Sequence, residues 1–98
     1  MPKAVRFGDI SCGHGCWPPR PNDQASPDVF VNGLGAHRVG DHWEPHTCPP
    51  IPETHDGHAA AGSPNVFVNG RALCRVGDPV SCGDTMCQGS PNVFVNGE

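Results

Sequence analysis

The chain has 98 residues with 13 Gly, 12 Pro, six Cys and six His, and a formal net charge of -4. Leu, Ile, Val and Phe make up less than a fifth of it, too few for an ordinary packed core, and the Gly and Pro content excludes long helices. Six basic residues against ten acidic ones, with no basic cluster, argue against a nucleic-acid partner, and no apolar run is long enough to span a bilayer.

The N-terminal segment "MPKAVRFGDI" has no apolar h-region, so synthesis in a reducing cytoplasm is expected. That ranks metal ahead of disulfide as the role of the cysteines. Within the segment, "RFGD" at Arg6–Asp9 is the first of three related motifs; "RVGD" follows at Arg38–Asp41 and Arg75–Asp78. After it comes loop one, "ISCGHGCWPPRPNDQA", with Cys12, His14 and Cys16.

"SPDVFVNG" then spans Ser26–Gly33, and "SPNVFVNG" recurs at Ser63–Gly70 and Ser90–Gly97. Asn-Gly after an alternating apolar run is a strong hairpin signal, because both residues tolerate positive φ. "VFVNGLGAHRVGD" and "VFVNGRALCRVGD" therefore predict strand, tight turn, strand. The join from the Asn-Gly to the Arg motif is constant. The stretch from the motif's Asp to the next Ser varies: 17 positions from Asp9, 22 from Asp41 and 12 from Asp78. These variable stretches read as loops. Loop two is "HWEPHTCPPIPETHDGHAAAG" and loop three is "PVSCGDTMCQG".

The third octapeptide lacks a return strand, since the sequence reads "VFVNGE" and stops. "PKAVRFGD" aligns on "LGAHRVGD" and "RALCRVGD", so the first residues are expected to complete the last hairpin. The competing arrangement, an open repeat array, does not need its ends to match. A closed ring predicts pseudo-three-fold symmetry, with the hairpin turns at one end and the three loops at the other. Three units are also where repeats begin to bury a shared core.

Five of the six Cys and five of the six His lie in the loops. His37 and Cys74 lie at the strand position held by Val5 in the first copy, and read as packing residues. Imidazole and thiolate suit a tetrahedral zinc site, which supplies free energy on the order of 10 kcal/mol to a fold with a thin core. Ten candidate ligands exceed four places, so several are bystanders.

The three "RxGD" and "SPxVFVNG" units, "CRVGDPVSCG" and the "HGCWPPRP" loop together resemble a PAAR-repeat protein over the whole chain. The resemblance implies an all-β fold, a small cone of short strands and hairpins with loops converging on a metal-bound apex, and one domain over 1–98 without an effector extension. It implies one structural Zn2+ held by three His and one Cys: His14, His46, His55 and Cys82, with His58, Cys12 and Cys48 as alternates. It also implies a base that sits on a trimeric β-helical spike, one tip per trimer, in a phage tail or a type VI secretion system. Effectors docking non-covalently are further expected partners, and assembly into the spike would carry the chain outside the cell or into a target envelope. The base is expected at Val29, Phe30, Val31, Val66, Phe67, Val68, Val93, Phe94 and Val95, where one side of each strand faces inward and the other faces the partner. Two other classes compete: a secreted binding module stapled by disulfides or zinc, and a small zinc hydrolase. The hydrolase needs an open metal position, and the chain has no HExxH. The expectation is that it is not an enzyme.

Overall fold

The computed structural model describes residues 1–95; the last expected turn, at Asn96 and Gly97, lies outside the described residues. The described chain is all-β, with six short strands paired as three antiparallel hairpins and no helix.

Two hairpins come from the octapeptides. β1 (Phe30–Val31) pairs with β2 (Leu34–Gly35), and β5 (Phe67–Val68) pairs with β6 (Arg71–Ala72). Their turns are Asn32-Gly33, with φ of 54° and 79°, and Asn69-Gly70, with 54° and 78°. Both central residues are left-handed, as a type I′ turn requires. The Ser that opens each octapeptide has its own task. The Ser26 hydroxyl accepts the amides of Asp28 and Val29; Ser63 and Ser90 do the same for Asn65 and Val66 and for Asn92 and Val93.

The third pair is made by the two ends of the chain. Lys3 pairs antiparallel with Phe94, in the place that Gly35 and Ala72 take opposite Phe30 and Phe67. Ala4 N donates to Val93 O (3.0 Å) and Val95 N donates to Pro2 O (2.8 Å). The expected closure is therefore present.

Around the pseudo-three-fold axis the strands hand hydrogen bonds on in a circle. His37 N donates to Val5 O (3.0 Å), Cys74 N to His37 O (2.9 Å), and Val5 N to Cys74 O (3.0 Å). Each strand then ends in the Arg motif. Gly8, Gly40 and Gly77 take φ of 86°, 91° and 99°, which turns the chain so that the motif's Asp N donates to its Arg O. The same Asp receives the Arg backbone N and a two-armed contact from the guanidinium, at 2.8–2.9 Å for Arg6 and Asp9. Arg38 with Asp41 and Arg75 with Asp78 repeat this arrangement.

Two apolar layers fill the interior. One takes two residues from each hairpin: Ala4 with Val95, Ala36 with Val31, and Leu73 with Val68. The other joins Val5 and Cys74 to loop residues Trp43, Ala59, Val80 and Met86. His37 is fully enclosed, its ring edge-on to Trp43 at 5.2 Å. His37 and Cys74 are thus packing residues, as their strand position implies.

Loop two departs from expectation, because it holds the longest strands among the described residues. β3 (His42–Cys48) pairs with β4 (Glu53–His58), with a bulge between Trp43 and His46 that accommodates Glu44 and Pro45. The inward positions are Trp43, His46 and Cys48; a histidine holds the middle one and the bulge shifts its spacing from Trp43, so the run does not read as an apolar alternation. The prolines of 49–52 form its turn rather than interrupting a strand.

The ranking of metal over disulfide also needs correction, because the chain carries two disulfides. Cys12 is bonded to Cys87 and Cys16 to Cys48, across separations of 75 and 32 residues; Cys74 and Cys82 are free. The bridges tie loop one to loop three and loop one to loop two.

Candidate metal centre

Each loop delivers ligand-type side chains to one place. In loop one the chain doubles back tightly: His14 N and Trp17 O, and Trp17 N and His14 O, bond at 3.0 and 2.9 Å. This turn presents the His14 ring. Loop two supplies His46 and His55, which are directly opposite in the β3–β4 register. Loop three supplies Cys82, in the turn closed by Gly83 N donating to Val80 O (3.0 Å).

Ligand atoms of His14, His46, His55 and Cys82 all lie within 4.8 Å of one another. The three Nε2 atoms are 3.3 Å (His14–His46), 3.1 Å (His14–His55) and 2.8 Å (His46–His55) apart. The Cys82 sulfur is 3.8 Å from His14 Nε2 and 4.0 Å from His46 Nε2. A tetrahedral ion with bonds of about 2.0–2.1 Å to nitrogen and about 2.3 Å to sulfur requires edges of about 3.3 and 3.6 Å. The donor set fits such an ion.

The protonation pattern fits as well. His46 Nδ1 donates to Pro18 O at 2.7 Å, which leaves the Nε2 lone pair facing the cluster. Burial holds its pKa below the ordinary histidine value, against the Pro18 carbonyl, so the ring is neutral and able to ligate. Three imidazole nitrogens at these separations need a proton or a cation between them, and one cation satisfies all three.

Two neighbours were not legible as site residues. Trp17 stacks on His14 (5.1 Å, 15°) and on His55 (4.7 Å, 26°), and its Nε1 donates to Glu53 O (3.0 Å). Arg20 is buried and directs Nη2 at the Cys82 sulfur, 3.2 Å away. Their sequence context, a Trp and an Arg among prolines, carries no periodicity that would mark them.

The alternates lie elsewhere. Cys12 and Cys48 are in disulfides. The His58 ring lies edge-on to His42 at 5.3 Å, outside the cluster. His42 is itself held between Asp23 (2.7 Å) and Asp56 (2.8 Å), which raise its pKa through hydrogen bonds, Asp56 most.

The nine residues named for the base divide cleanly. Phe30, Phe67 and Phe94 point outward, at 60, 60 and 50 % exposure, while Val31, Val68 and Val95 turn into the core. Val29 and Val93 are exposed at the edge, and Val66 packs partly against the core.

A search of curated proteins returned no match. The family model described as PAAR motif matches residues 8–88 and, in a second overlapping match, residues 52–98. Closed hairpin ring, repeated Arg motif and family match agree along the whole chain: it belongs to the PAAR-motif family.

Proposed function

We propose that the chain is the tip of a membrane-piercing spike, capping the blunt end of a trimeric β-helical spike protein of a contractile phage tail or a type VI secretion system. The observation that carries this reading is the set of three equivalent outward phenylalanines, Phe30, Phe67 and Phe94, spaced around one hydrogen-bonded ring. A single chain then offers a trimer three similar apolar contacts, and one tip seats per trimer. At the other end, His14, His46, His55 and Cys82 hold one zinc ion that draws the three loops together. Three His and one Cys fill a tetrahedral zinc and leave no position for water, which favours a structural role over a hydrolytic one. The chemistry of the site is then mechanical: it resists splaying of the loops under load.

The test is binding of the purified chain to a cognate spike trimer. One chain per trimer is expected, with binding abolished in Phe30→Glu/Phe67→Glu/Phe94→Glu and zinc content unchanged. Equal binding by that variant would remove this face from the interface.

A further inference from the structure

Arg20 is only 5 % exposed, yet it belongs to a proline-rich surface loop. Its guanidinium reaches each of the three loops. Nε donates to Glu44 O (2.7 Å) in loop two, Nη1 to Asp84 Oδ2 (2.6 Å) in loop three, and Nη1 also to Ser11 Oγ (3.4 Å) in loop one. The guanidinium carbon lies 5.6 Å from the centre of the Trp43 ring. Nη2 is left to point at the Cys82 sulfur (3.2 Å).

The site is shaped for this contact. Gly57 on β4 lies directly over it: a Cβ there would fall 3.4 Å from both Arg20 Nη2 and Cys82 Sγ, and 2.8 Å from Val80 Cγ1. Asp84, itself buried, neutralises the guanidinium and fixes its plane, since its other oxygen accepts Thr85 N at 2.7 Å. A staple between loops needs only Ser11, Glu44 and Asp84. The fourth arm, aimed at a sulfur atom, is surplus to that task.

The geometry points to Arg20 as the positioning residue of the metal centre, holding the Cys82 sulfur at its corner of the tetrahedron by a charge-assisted N–H···S hydrogen bond. This rests on the metal reading above. Partners of this kind orient a ligand and set how much electron density it gives the metal. The planar fork is what allows one side chain to hold a carbonyl, a carboxylate and a sulfur at once; a lysine ammonium lacks that geometry.

The experiment uses the whole chain loaded with Co2+, whose thiolate-to-metal charge-transfer band reports on the metal–sulfur bond. Arg20→Gln is expected to shift that band to lower energy, because the sulfur loses a hydrogen bond and becomes more electron-rich. It is also expected to release metal to a chelator about ten- to hundredfold faster. Asp41→Asn, a destabilising change in an Arg motif away from the cluster, is expected to leave the band in place; a similar shift there would make the effect one of stability alone and overturn the proposal. Arg20→Lys keeps a cation for Asp84, so it is expected to fold even where Arg20→Gln does not, and to show the same shift. A band and a release rate unchanged in the Arg20 variants would overturn the proposal and leave the metal reading standing. A wild-type chain that gives no cobalt–thiolate band would overturn both.

Discussion

Val5 N donates to Cys74 O at 3.0 Å, and through that bond the first strand of the chain becomes the third member of a ring. Val5, His37 and Cys74 are linked head to tail, each donating its backbone N–H to the carbonyl of another of the three. Closure places the chain ends in one hairpin, Lys3 opposite Phe94. A circular permutant that joins the two ends through an Asn-Gly turn and opens the chain between Asn69 and Gly70 is therefore expected to fold. Its thermal midpoint should lie within about 5 °C of the parent, a difference of about 1 kcal/mol.

The Arg motifs are not equivalent in burial. Asp41 is fully enclosed and takes, besides Arg38, an approach from Arg71 Nη1 at 3.4 Å. Asp41→Ala leaves the buried Arg38 without its partner and is expected to destabilise the chain by about 3–5 kcal/mol. Urea unfolding measures this directly, and the loss should exceed that of Asp78→Ala, whose carboxylate is less enclosed.

Acid acts on the core through His37. Its Nδ1 donates to Gln24 O at 2.8 Å, and burial pushes its pKa down to about 4 from an ordinary 6.5. The unfolded chain takes up this proton more readily than the folded one. His37 thus has no effect well above pH 6.5, and stability falls as the pH drops through 6.5 towards 4, by about 3 kcal/mol when complete. His37→Val, the residue at the equivalent position of the first strand, is expected to remove this component. Unfolding free energies of the two chains at pH 7 and pH 4.5 give the comparison.

The disulfides and the metal cluster tie the same three loops, so they back one another up. Each bridge contributes about 2–4 kcal/mol. Reduction alone, or chelation alone, is expected to leave a folded chain with a lowered thermal midpoint. The two together should abolish cooperative unfolding, and metal should leave faster from the reduced protein. Thermal melts under the four combinations of reductant and chelator read this out.

The hairpins were legible because Asn-Gly and the Arg-x-Gly-Asp turn fix backbone geometry locally, and closure was legible because "PKAVRFGD" repeats the return strands that follow Gly33 and Gly70. The four converging residues were legible once the loops were aligned on the repeat and compared with a known family. The β3–β4 hairpin was not, because its inward side chains include His46 and Cys48 and a bulge breaks the count of two at Glu44 and Pro45. The disulfide partners were not, because Cys12 and Cys87 are brought together by the pairing of Ser11 with Met86 and the bonds Cys12 N to Thr85 O and Cys87 N to Ile10 O, which no spacing reveals. Which face of "VFV" is outward followed from packing alone: Val31, Val68 and Val95 share one thin layer with Ala4, Ala36 and Leu73, and Phe30, Phe67 and Phe94 stay outside it.

Metal content decides the apex. Native mass spectrometry of the purified chain is expected to show one zinc per chain, retained through dilution and lost in Cys82→Ser and His46→Ala. A wild-type chain that carries no metal and takes up none when zinc is supplied, while both disulfides are intact, would contradict the reading of His14, His46, His55 and Cys82 as a tetrahedral site.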